Sequence, residues 1–436
     1  MSTRTTTACL IGVSGFANTH YTNLLRQVDR NQIRFLGATI INQHEEAEKC
    51  AHLRNMGCEI FSDYRDMIAR FGGESDLCFI PTGIAQHAPM TIDALRAGTN
   101  VFVEKPAAAT IQDVRAMQAC ERETGRFVAV GFQTIYARET LLMKRAILNG
   151  EIGEVQSIKC RGLWPRSASY YARNAWAGRL GDNSEWILDS PFNNAVAHQL
   201  NMLCFLAGTE LTRPAQLRSV EAELYRIHDI ESADTACLRV ITETNLPLYF
   251  YATHSSATLA HPDILVRGSK GSIRWNFHHS TCIERADGLR EKLLCESGEE
   301  LRDSMVSQVC ARVTNPDKFI CDLDIAGTHT LCVNGAHESS RIHIVDKQFV
   351  DRIPEKDDLR SVLRGIEEVT EQALEQEKLY SELRIPWSQP ATVVPMRNYS
   401  FFPRCSVASG PTDYGSDRQP VVRNALRNGV AAAPHK

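Results

Sequence analysis

Short apolar runs alternate along the first third of the chain with segments whose apolar residues recur every three or four positions. Such runs predict β-strands, and the 3.6-residue recurrence predicts helices. The predicted elements follow one another in this order: strand 8–13, helix 17–28, strand 35–41, helix 45–56, strand 58–61, helix 64–71, strand 76–80, helix 87–96 and strand 101–103. Regular alternation of this kind predicts an α/β domain built on a doubly wound parallel sheet.

The middle of the chain changes to runs in which apolar and polar residues alternate, as is typical of strands with one buried face. These runs cover residues 153–161, 221–225, 234–241, 248–253, 264–267 and 272–276. They predict an α+β domain with an open, mostly antiparallel sheet and helices on one of its faces. A later helical pattern at 356–379 predicts the last packed helix.

Composition and charge exclude several classes of protein. The chain has 436 residues, of which 43% are hydrophobic and 23% are charged, and its formal net charge is -4. These values predict a soluble globular protein of two domains plus an extra segment, without a basic field for nucleic acid. No apolar run is long enough for a membrane span, and Met1 to Thr7 lacks the hydrophobic region of a signal peptide. We therefore expect a cytoplasmic protein with no nucleic-acid or membrane partner.

The fourteen cysteines are scattered, and no C-x-x-C pair occurs among them. Several, including Cys9, Cys78 and Cys237, lie in apolar strand-like runs, where a reduced thiol behaves as a small core residue. We expect neither a structural metal nor a disulfide framework.

A glycine-containing turn joins the first predicted strand to the first predicted helix. Its residues Gly12, Ser14, Gly15, Phe16 and Ala17 follow the G-x-G-x-x-G spacing, with serine in place of the second glycine and alanine in place of the third. Backbone N–H groups at the start of such a helix bind a pyrophosphate. The turn predicts a dinucleotide site in a Rossmann-type domain.

The run Val101 to Val103 ends in Glu104, Lys105 and Pro106. Because proline cannot continue a strand ladder, the charged pair should lie at the carboxyl edge of the sheet, where open α/β sheets bind ligands. Taken alone, such a pair is more often a solvated surface ion pair, and the rest of the chain reverses that preference.

Ser190 and Pro191 predict the start of a helix that runs to about Leu206. On that helix Asn194, His198 and Asn201 would share one face. Asn194 and His198 could simply bind each other on this face, because buried polar groups need hydrogen-bond partners.

Several of these motifs occur together in one known family. They are Gly12 with His20, Thr82 with His87, Ala97-Gly98 before Glu104-Lys105-Pro106, Gly131-Phe132-Gln133, and residues 150–155. In this order and spacing, from about residue 8 to about 385, the chain resembles the Gfo/Idh/MocA oxidoreductases. The resemblance implies a dinucleotide-binding Rossmann domain at 1–128 and a substrate-binding and oligomerisation domain at 129–385. Residues 386–436, rich in Pro, Ser, Arg and Asn, are predicted to form a strap or a disordered tail.

The resemblance also implies the roles of individual residues. Lys105 and His198 would be catalytic, and Asn194 stands where the family carries an aspartate. An amide can orient a hydroxyl but cannot ionise. Thr82, His87, Glu104, Lys105 and Gln133 would join the glycine turn in binding the cofactor. Family members form dimers or tetramers through the other face of the second sheet, so we expect a homo-oligomer.

The cofactor would be NAD or NADP. Dinucleotide folds that prefer NAD carry an acid near the end of the second strand, where this chain has Asn42. Asn42 can bind a ribose hydroxyl, and no arginine adjoins it to receive a 2′-phosphate, so NAD is favoured. On the substrate side, Tyr170, Arg173, Trp176 and His254 are the predicted contacts, because sugars pack on aromatic rings and hydrogen-bond polar groups.

The sequence thus predicts an NAD(P)-dependent oxidoreductase that acts on a CH–OH group of a sugar, polyol or sugar derivative. One alternative is an enzyme that retains NAD and cleaves a sugar, or eliminates from it, through transient oxidation, because fold analogy does not fix chemistry. A nucleotide-dependent sensor or scaffold is the other alternative.

Overall fold

The computed structural model describes residues 4–182, 185–356 and 358–403. Its strands form two large sheets, a parallel one near the amino terminus and a larger mixed one after it. The predicted fold class, an α/β protein with a Rossmann-type domain and an α+β domain, is confirmed. Among the helices of these ranges, none has the length and apolar character needed to cross a membrane.

The first sheet has six parallel strands in the order β3-β2-β1-β4-β5-β6. The elements of this part are β1 Thr6–Ile11, α1 Ala17–Asp29, β2 Ile33–Thr39, α2 Ala47–Asn55, β3 Glu59–Phe61, α3 Tyr64–Phe71, β4 Leu77–Ile80, α4 Ile84–Arg96, β5 Asn100–Val103, α5 Ile111–Thr124 and β6 Val128–Val130. The strand order reverses between β1 and β4, and doubly wound folds bind ligands at such a switch point. The loops after β1, β4 and β5 therefore meet at one edge.

The second part begins with helices and continues into a sheet with the strand order β16-β15-β14-β13-β7-β12-β11-β10-β17. Its elements are α6 Gln133–Tyr136, α7 Arg138–Leu148, β7 Val155–Leu163, α8 Ala168–Ala172, β8 Gly181–Asp182, β9 Glu185–Trp186, a π-helix Pro191–Ala195, α9 Ala197–Leu206, β10 Leu217–Arg226, β11 Thr235–Thr242, β12 Pro247–Thr253, β13 Ala260–Gly268, β14 Ser272–Asn276, β15 Ser280–Glu284, β16 Arg290–Leu294, α10 Gly298–Thr314, α11 Leu323–Ser339, β17 Ile342–Ile344, a 3-10 helix Lys347–Phe349, β18 Val350–Glu355, β19 Asp358–Leu363, α12 Ile366–Gln376, a 3-10 helix Ser381–Leu383 and β20 Val394–Pro395.

The structure differs from the sequence prediction at three places. The boundary predicted after residue 128 falls inside β6, which belongs to the parallel sheet. The helix predicted at 356–379 is wrong in its first half, because 350–363 form the antiparallel hairpin β18–β19 and only α12 is helical. Of the predicted tail, residues 386–403 pack on the second part through buried side chains such as Val394 and Phe402. The rest of that tail lies outside the described residues.

Alternate side chains of the central strands in the second sheet are buried on opposite faces. One face packs on α9 and α11, through residues such as Leu238. The other carries Tyr225 and Tyr251, which α12 and the segment after it cover. Tyr251 donates to the carbonyl oxygens of Ala373, at 2.9 Å, and Lys378, at 2.8 Å. Helical structure thus covers both faces of β7, β10, β11 and β12, not one as predicted. An oligomer that forms through this face of the sheet would have to use strands other than β7, β10, β11 and β12.

Helices of the second part also pack against the parallel sheet. Asn334 of α11 accepts a hydrogen bond from the Ile111 N–H at 2.9 Å and donates to the Ala109 carbonyl at 2.8 Å. Both contacts reach the segment that leads into α5. Because these polar groups are buried, the contacts fix the orientation of the two sheets, and with it the width of the crevice between them.

We expect Tyr380→Ala to lower the free energy of unfolding by about 3–5 kcal/mol, the usual cost of removing a buried aromatic ring. The Tyr380 ring is fully buried, with its centroid 6.2, 6.0 and 5.5 Å from those of Tyr225, Tyr251 and Trp387. Urea unfolding measures the change. Phe401→Ala is the matched control, because Phe401 is 46% exposed, and it should change stability by about 0.5 kcal/mol or less. Equal effects would contradict the covering role of this segment.

Candidate active site

Lys105 lies at the carboxyl edge of the parallel sheet, directly after the buried Glu104. The Glu104 N–H donates to the Ile80 carbonyl of β4 at 3.2 Å, so the chain leaves the sheet only after this residue. Since β1, β4 and β5 are consecutive parallel neighbours, the Gly12 turn, the Thr82 loop and Lys105 lie along one edge. The Gly12 turn, predicted to bind the cofactor, and Lys105, predicted to be catalytic, therefore lie at the same crevice.

Glu104 orients the start of this loop. Its carboxylate accepts from His20 Nε2 at 2.8 Å and from the Lys105 N–H at 2.9 Å. A side chain at Gly131 would meet Glu104 Oε1 at 2.6 Å, so only glycine leaves room there. Burial opposes ionisation of Glu104, but the hydrogen bond and charge of His20, together with Lys105, outweigh it and lower its pKa. Glu104 is thus a buried anion that fixes the backbone of Lys105.

The Lys105 side chain reaches across the crevice to the π-helix. Its Nζ donates to the Asn194 Oδ1 at 2.8 Å and to the Asn194 carbonyl at 3.0 Å. Asn194 Nδ2 in turn donates to Asp189 Oδ1 at 2.9 Å, and the Gly178 N–H donates to the other Asp189 oxygen at 2.7 Å. Because Asp189 holds the amide nitrogen, the amide oxygen of Asn194 points at the lysine. A carboxylate, an amide and an amine therefore form one chain.

The pKa of Lys105 is lowered from its ordinary value. Burial is the largest cause, and the nearby positive charge of Arg173 acts in the same direction. The charges of Glu104 and Asp189 oppose this shift without cancelling it. Lys105 is therefore easier to deprotonate than an exposed lysine, as a general base requires.

His198 lies in α9, just after the π-helix. Burial, followed by the positive charge of Lys105, lowers its pKa to about 3, so the ring is neutral at physiological pH. The ring packs edge-on against Phe132, with 5.6 Å between centroids, and its Nδ1 has no hydrogen-bond partner in the described residues. No bond joins it to Asn194 there. The predicted single helix 190–206 is interrupted, because residues 191–195 form a π-turn and α9 begins only at Ala197.

The glycine turn offers backbone donors to an anion. Gly12 has φ +93°, a conformation that glycine adopts without strain. In the described chain the N–H groups of residues 13–16 have no acceptor, and α1 has no side-chain cap at its start. Among the predicted turn residues, Gly15 also has a positive φ, and Phe16 is 61% exposed. Free amides at a helix start fit the pyrophosphate of a dinucleotide.

Asn42 lies beside the same turn. The Ser14 hydroxyl donates to Asn42 Oδ1 at 3.2 Å, and Asn42 Nδ2 donates to Glu45 Oε2 at 2.9 Å. Glu46 is close as well, because hydrogen bonds from Lys49 and Ser14 lower the pKa of its carboxyl. Glu45 and Glu46, at the start of the next helical segment, thus lie near Asn42, and Glu46 pairs with Lys49 at 2.8 Å.

The remaining predicted cofactor residues lie around the loops of this edge. Both ring nitrogens of His87 face main-chain carbonyls, at 2.7 Å from Pro106 and 3.1 Å from Thr82. Burial lowers its pKa, and in the neutral form the ring donates to only one of the two carbonyls. Thr82 and Gln133 are both half-buried, and Gln133 begins α6. His87 and Glu104 therefore support the crevice from behind.

The predicted substrate residues come together on the other side of Lys105. Arg173 lies 3.7 Å from the centre of the Tyr170 ring and 5.2 Å from that of Trp176. His254 is buried 5.6 Å from Tyr170, between ring centroids. Gly178 of the same loop donates to Asp189, which binds Asn194 beside Lys105, so the loop adjoins the lysine.

Sequence reasoning gave no role to Asp189 or Arg166, and it gave no physical reason for Gly131. Asp189 directly precedes the predicted N-cap Ser190, a position where acids are common for helical reasons alone. Gly131 belongs to one of the motifs named above. Only the tertiary structure explains why glycine is needed there, because the Glu104 carboxylate comes too close for a side chain.

A second cleft, of about 1060 Å³, lies away from this crevice, between α5, α11 and residues 396–399. Arg213 pairs with Asp324 there, Arg397 pairs with Glu243, and Arg115 donates to the Tyr399 carbonyl at 2.7 Å. The Lys105 crevice, which brings a buried amine and a glycine turn to one sheet edge, is the candidate active site.

Two family descriptions match the chain. Residues 7–132 match the description "Oxidoreductase family, NAD-binding Rossmann fold", and residues 140–274 match "GFO/IDH/MocA C-terminal domain". An inositol 2-dehydrogenase of Klebsiella pneumoniae is 27% identical over 187 residues, which cover 42% of this chain and 50% of that protein. A dTDP-3,4-didehydro-2,6-dideoxy-alpha-D-glucose 3-reductase of Streptomyces violaceoruber is 29% identical over 167 residues, 38% of this chain and 48% of that protein. The chain spans about half the length of these curated relatives.

Solved structures share the fold. The WlbA dehydrogenase of Bordetella pertussis, in complex with NADH and UDP-GlcNAcA, has a TM-score of 0.63 and 21% identity over 77% of this chain and 96% of its own. Levoglucosan dehydrogenase, in complex with NADH and levoglucosan, has a TM-score of 0.64 and 17% identity over 77% and 96%. Likeness at this identity speaks for the fold alone. Together with the two family descriptions, which fall on both sheets, it identifies the chain as a member of the Gfo/Idh/MocA oxidoreductase family.

Proposed function

We propose that the protein is an NAD-dependent oxidoreductase that interconverts a secondary alcohol and a ketone on a sugar, polyol or sugar derivative. The contact between Lys105 and Asn194 carries the proposal. It places an amine of lowered pKa between the glycine turn on one side and a polar, aromatic loop on the other. The related proteins named above act on inositol or on deoxysugar nucleotides, or hold sugars beside NADH, and these substrates contain such alcohols.

The crevice fits a dinucleotide. The free N–H groups of residues 13–16 would hold the pyrophosphate, and Asn42 would bind a ribose hydroxyl. Bound NAD supplies the hydride acceptor or donor. Phe16 and Ile41 are 61% and 85% exposed, and they would give apolar cover near the turn. Glu45 favours NAD over NADP, because its carboxylate beside Asn42 would repel a 2′-phosphate, whereas the charge of Glu46 is offset by Lys49.

Lys105 would move the proton. In the oxidising direction the alcohol loses a hydride from carbon and a proton from oxygen, and Lys105 Nζ takes the proton. In the reducing direction the ammonium returns it. Asn194 keeps Nζ in place through its amide oxygen, and Asp189 keeps that amide in orientation. A general base acts only within hydrogen-bond reach of the proton, so this chain of contacts would control the rate.

His198 would orient the substrate and not ionise. With a pKa of about 3 it stays neutral, so one ring nitrogen carries a proton and the other accepts a hydrogen bond. A substrate hydroxyl can donate to one nitrogen or accept from the other. This role differs from that of Lys105, which must gain and lose its proton in every cycle.

The alternative of a redox-neutral reaction, with cofactor retained, rests on the loss of the family's aspartate at position 194. Asp189 weakens that argument, because its carboxylate acts on Lys105 through the Asn194 amide and contributes to its pKa. The ultraviolet spectrum of the purified protein, before and after a sugar is added, distinguishes the two. Net reduction of added NAD supports the proposal, and sugar conversion without it supports the alternative.

Gly12→Val should abolish NAD binding, because a side chain at φ +93° strains the turn and enters the space of the pyrophosphate. Calorimetric titration with NAD and NADP measures this, and the wild-type protein should prefer NAD. Gly57→Val is the matched control: Gly57 has φ +80° and open space around it, but lies between α2 and β3, away from the crevice. Unchanged NAD affinity in Gly12→Val would refute the nucleotide site.

Lys105→Met should leave NAD affinity intact and reduce turnover by roughly 10² to 10⁴, the usual contribution of general acid–base catalysis. Methionine keeps most of the apolar stem and removes the amine. Steady-state rates with an accepted sugar or polyol give the result. Lys292→Met, at an exposed position on β16, controls for the loss of one positive charge. Near-wild-type turnover in Lys105→Met would end the proposed mechanism.

Asn194→Asp should move the pH profile of alcohol oxidation to higher pH. A carboxylate 2.8 Å from Nζ favours the ammonium form, so the pKa of Lys105 rises and its base form appears only at higher pH. Asp189→Asn should shift the profile in the opposite direction, because the charge of Asp189 raises that pKa. The pH dependence of kcat/KM tests both. If both variants kept the wild-type pH profile, Lys105 would not be the group whose titration controls the rate.

A further inference from the structure

The loop beside Lys105 holds two arginines in a row of stacked side chains. Arg166 lies 5.8 Å from the centre of the Trp164 ring and 4.7 Å from that of Tyr170. Arg173 lies 3.7 Å from the Tyr170 ring and 5.2 Å from the Trp176 ring. Aromatic rings and guanidinium groups therefore alternate along the loop. Stacking holds a guanidinium by its face and leaves the N–H groups at its edge available.

Neither arginine has an acidic partner among the residues that the structure describes. Arg166 donates to the Pro165 carbonyl at 3.3 Å, and Arg173 donates to the Tyr170 carbonyl at 2.5 Å. The Nε of Arg166 is buried and has no acceptor within those ranges. By contrast, Arg239 on β11 pairs with Glu221. The positive charge of the loop is thus not neutralised by the part of the protein that is described.

His254 can add a third donor. Its Nδ1 lies 2.9 Å from the Tyr171 hydroxyl, and the tautomer in which Tyr171 donates to Nδ1 carries the ring proton on Nε2. Burial lowers the pKa of His254 well below its ordinary value, and the charges of Arg166 and Arg173 act in the same direction, so the ring stays neutral. His254 is 2% exposed, and its Nε2 has no partner in the described chain. A buried N–H without an acceptor is costly and is usually satisfied by a ligand or by water.

Two carboxylates adjoin the loop without pairing with its arginines. Asp189 feels the charge of Arg173, but its two oxygens accept from Gly178 and Asn194, and Asp358 accepts from the Ser169 N–H at 3.1 Å. Both leave the guanidinium N–H groups of the loop without a carboxylate partner in the described chain. The cluster holds two guanidinium groups and one imidazole N–H, and it lies beside the amine that would take the substrate proton.

We propose that the substrate carries an anionic group, a carboxylate or a phosphate, in addition to its secondary alcohol, and that Arg166, Arg173 and His254 bind this group. The inference rests on the proposed function for the alcohol chemistry and adds the substrate class: a sugar acid or a phosphorylated sugar. Guanidinium edges match both oxyanions in geometry, and such charge-assisted hydrogen bonds are stronger than neutral ones. The bound anion would lie near Lys105, because Gly178 of this loop donates to Asp189 and Asp189 binds Asn194 beside the lysine.

Three probes that differ at one carbon test this: D-glucose, D-glucuronate and D-glucose 6-phosphate. Each is titrated into the full-length protein with NADH bound, and NADH fluorescence reports binding. The acidic probes should bind about tenfold or more tightly than glucose, because one charge-assisted contact contributes that much, and the preference should weaken as salt rises. Whether the carboxylate or the phosphate binds more tightly identifies the anion.

Arg166→Gln and Arg173→Gln should each reduce the preference for acidic over neutral probes by about tenfold. Arg145→Gln, on the exposed side of α7, removes the same charge elsewhere and should keep the preference. Circular dichroism and NADH affinity confirm that each variant is folded. Equal affinity for neutral and acidic probes, no binding of either acidic probe, or a preference that survives in both loop variants would overturn the proposal.

The same titrations separate this proposal from the proposed function. Reduction of NAD by neutral polyols such as myo-inositol, with no preference for acidic probes, would leave the oxidoreductase intact and remove the anion site. Binding of acidic probes that depends on the two arginines, with no reduction of NAD by any alcohol, would support the anion site and remove the oxidoreductase.

Discussion

The buried carboxylate of Glu104 is the constraint on which the candidate active site depends. A carboxylate at the end of a fully buried strand must find donors, because an unpaired buried charge costs several kcal/mol. His20 and the Lys105 N–H supply them, and Gly131 leaves the space. Three separate parts of the chain thus meet at one group. The direction in which Lys105 leaves the sheet follows from this contact, and the lysine points into the crevice as a result.

Asn194 and Asp189 show how a charge can act from one residue further away. A carboxylate in direct contact with Lys105 would hold it as an ammonium, whereas the Asn194 amide offers a neutral oxygen at the same distance. Asp189 fixes the amide and contributes its charge from behind, although burial raises its own pKa. Because no carboxylate contacts Lys105 Nζ directly, burial remains the largest influence on the pKa of Lys105 and lowers it. The amide at position 194, where the resemblance implies an aspartate, therefore leaves Lys105 able to lose its proton, as the proposed mechanism requires.

The alternation of strands and helices up to residue 103 was sufficient to predict the parallel sheet, since fully buried strands leave a clear apolar signal. The β18–β19 hairpin was missed because Leu359, Val362 and Leu363 also fit a helical repeat, and only the pairing with residues 350–355 decides between them. Likewise, the π-turn at 191–195 has no sequence signature that distinguishes it from an α-turn. The contact of Lys105 with Asn194 joins residues 89 positions apart, so no local pattern could reveal it.

The two sides of the crevice differ in the charge of their side chains. Around the glycine turn, Glu45 and Glu46 lie near Asn42, whereas the substrate loop presents Arg166 and Arg173. Like charges repel, so an acidic substrate would be guided to the arginines and away from the ribose end of the cofactor site. Bound between the arginines, its anion would also offset the charge of Arg173, which lowers the pKa of Lys105. Substrate binding would then raise the proton affinity of Lys105 at the moment when it must accept the alcohol proton.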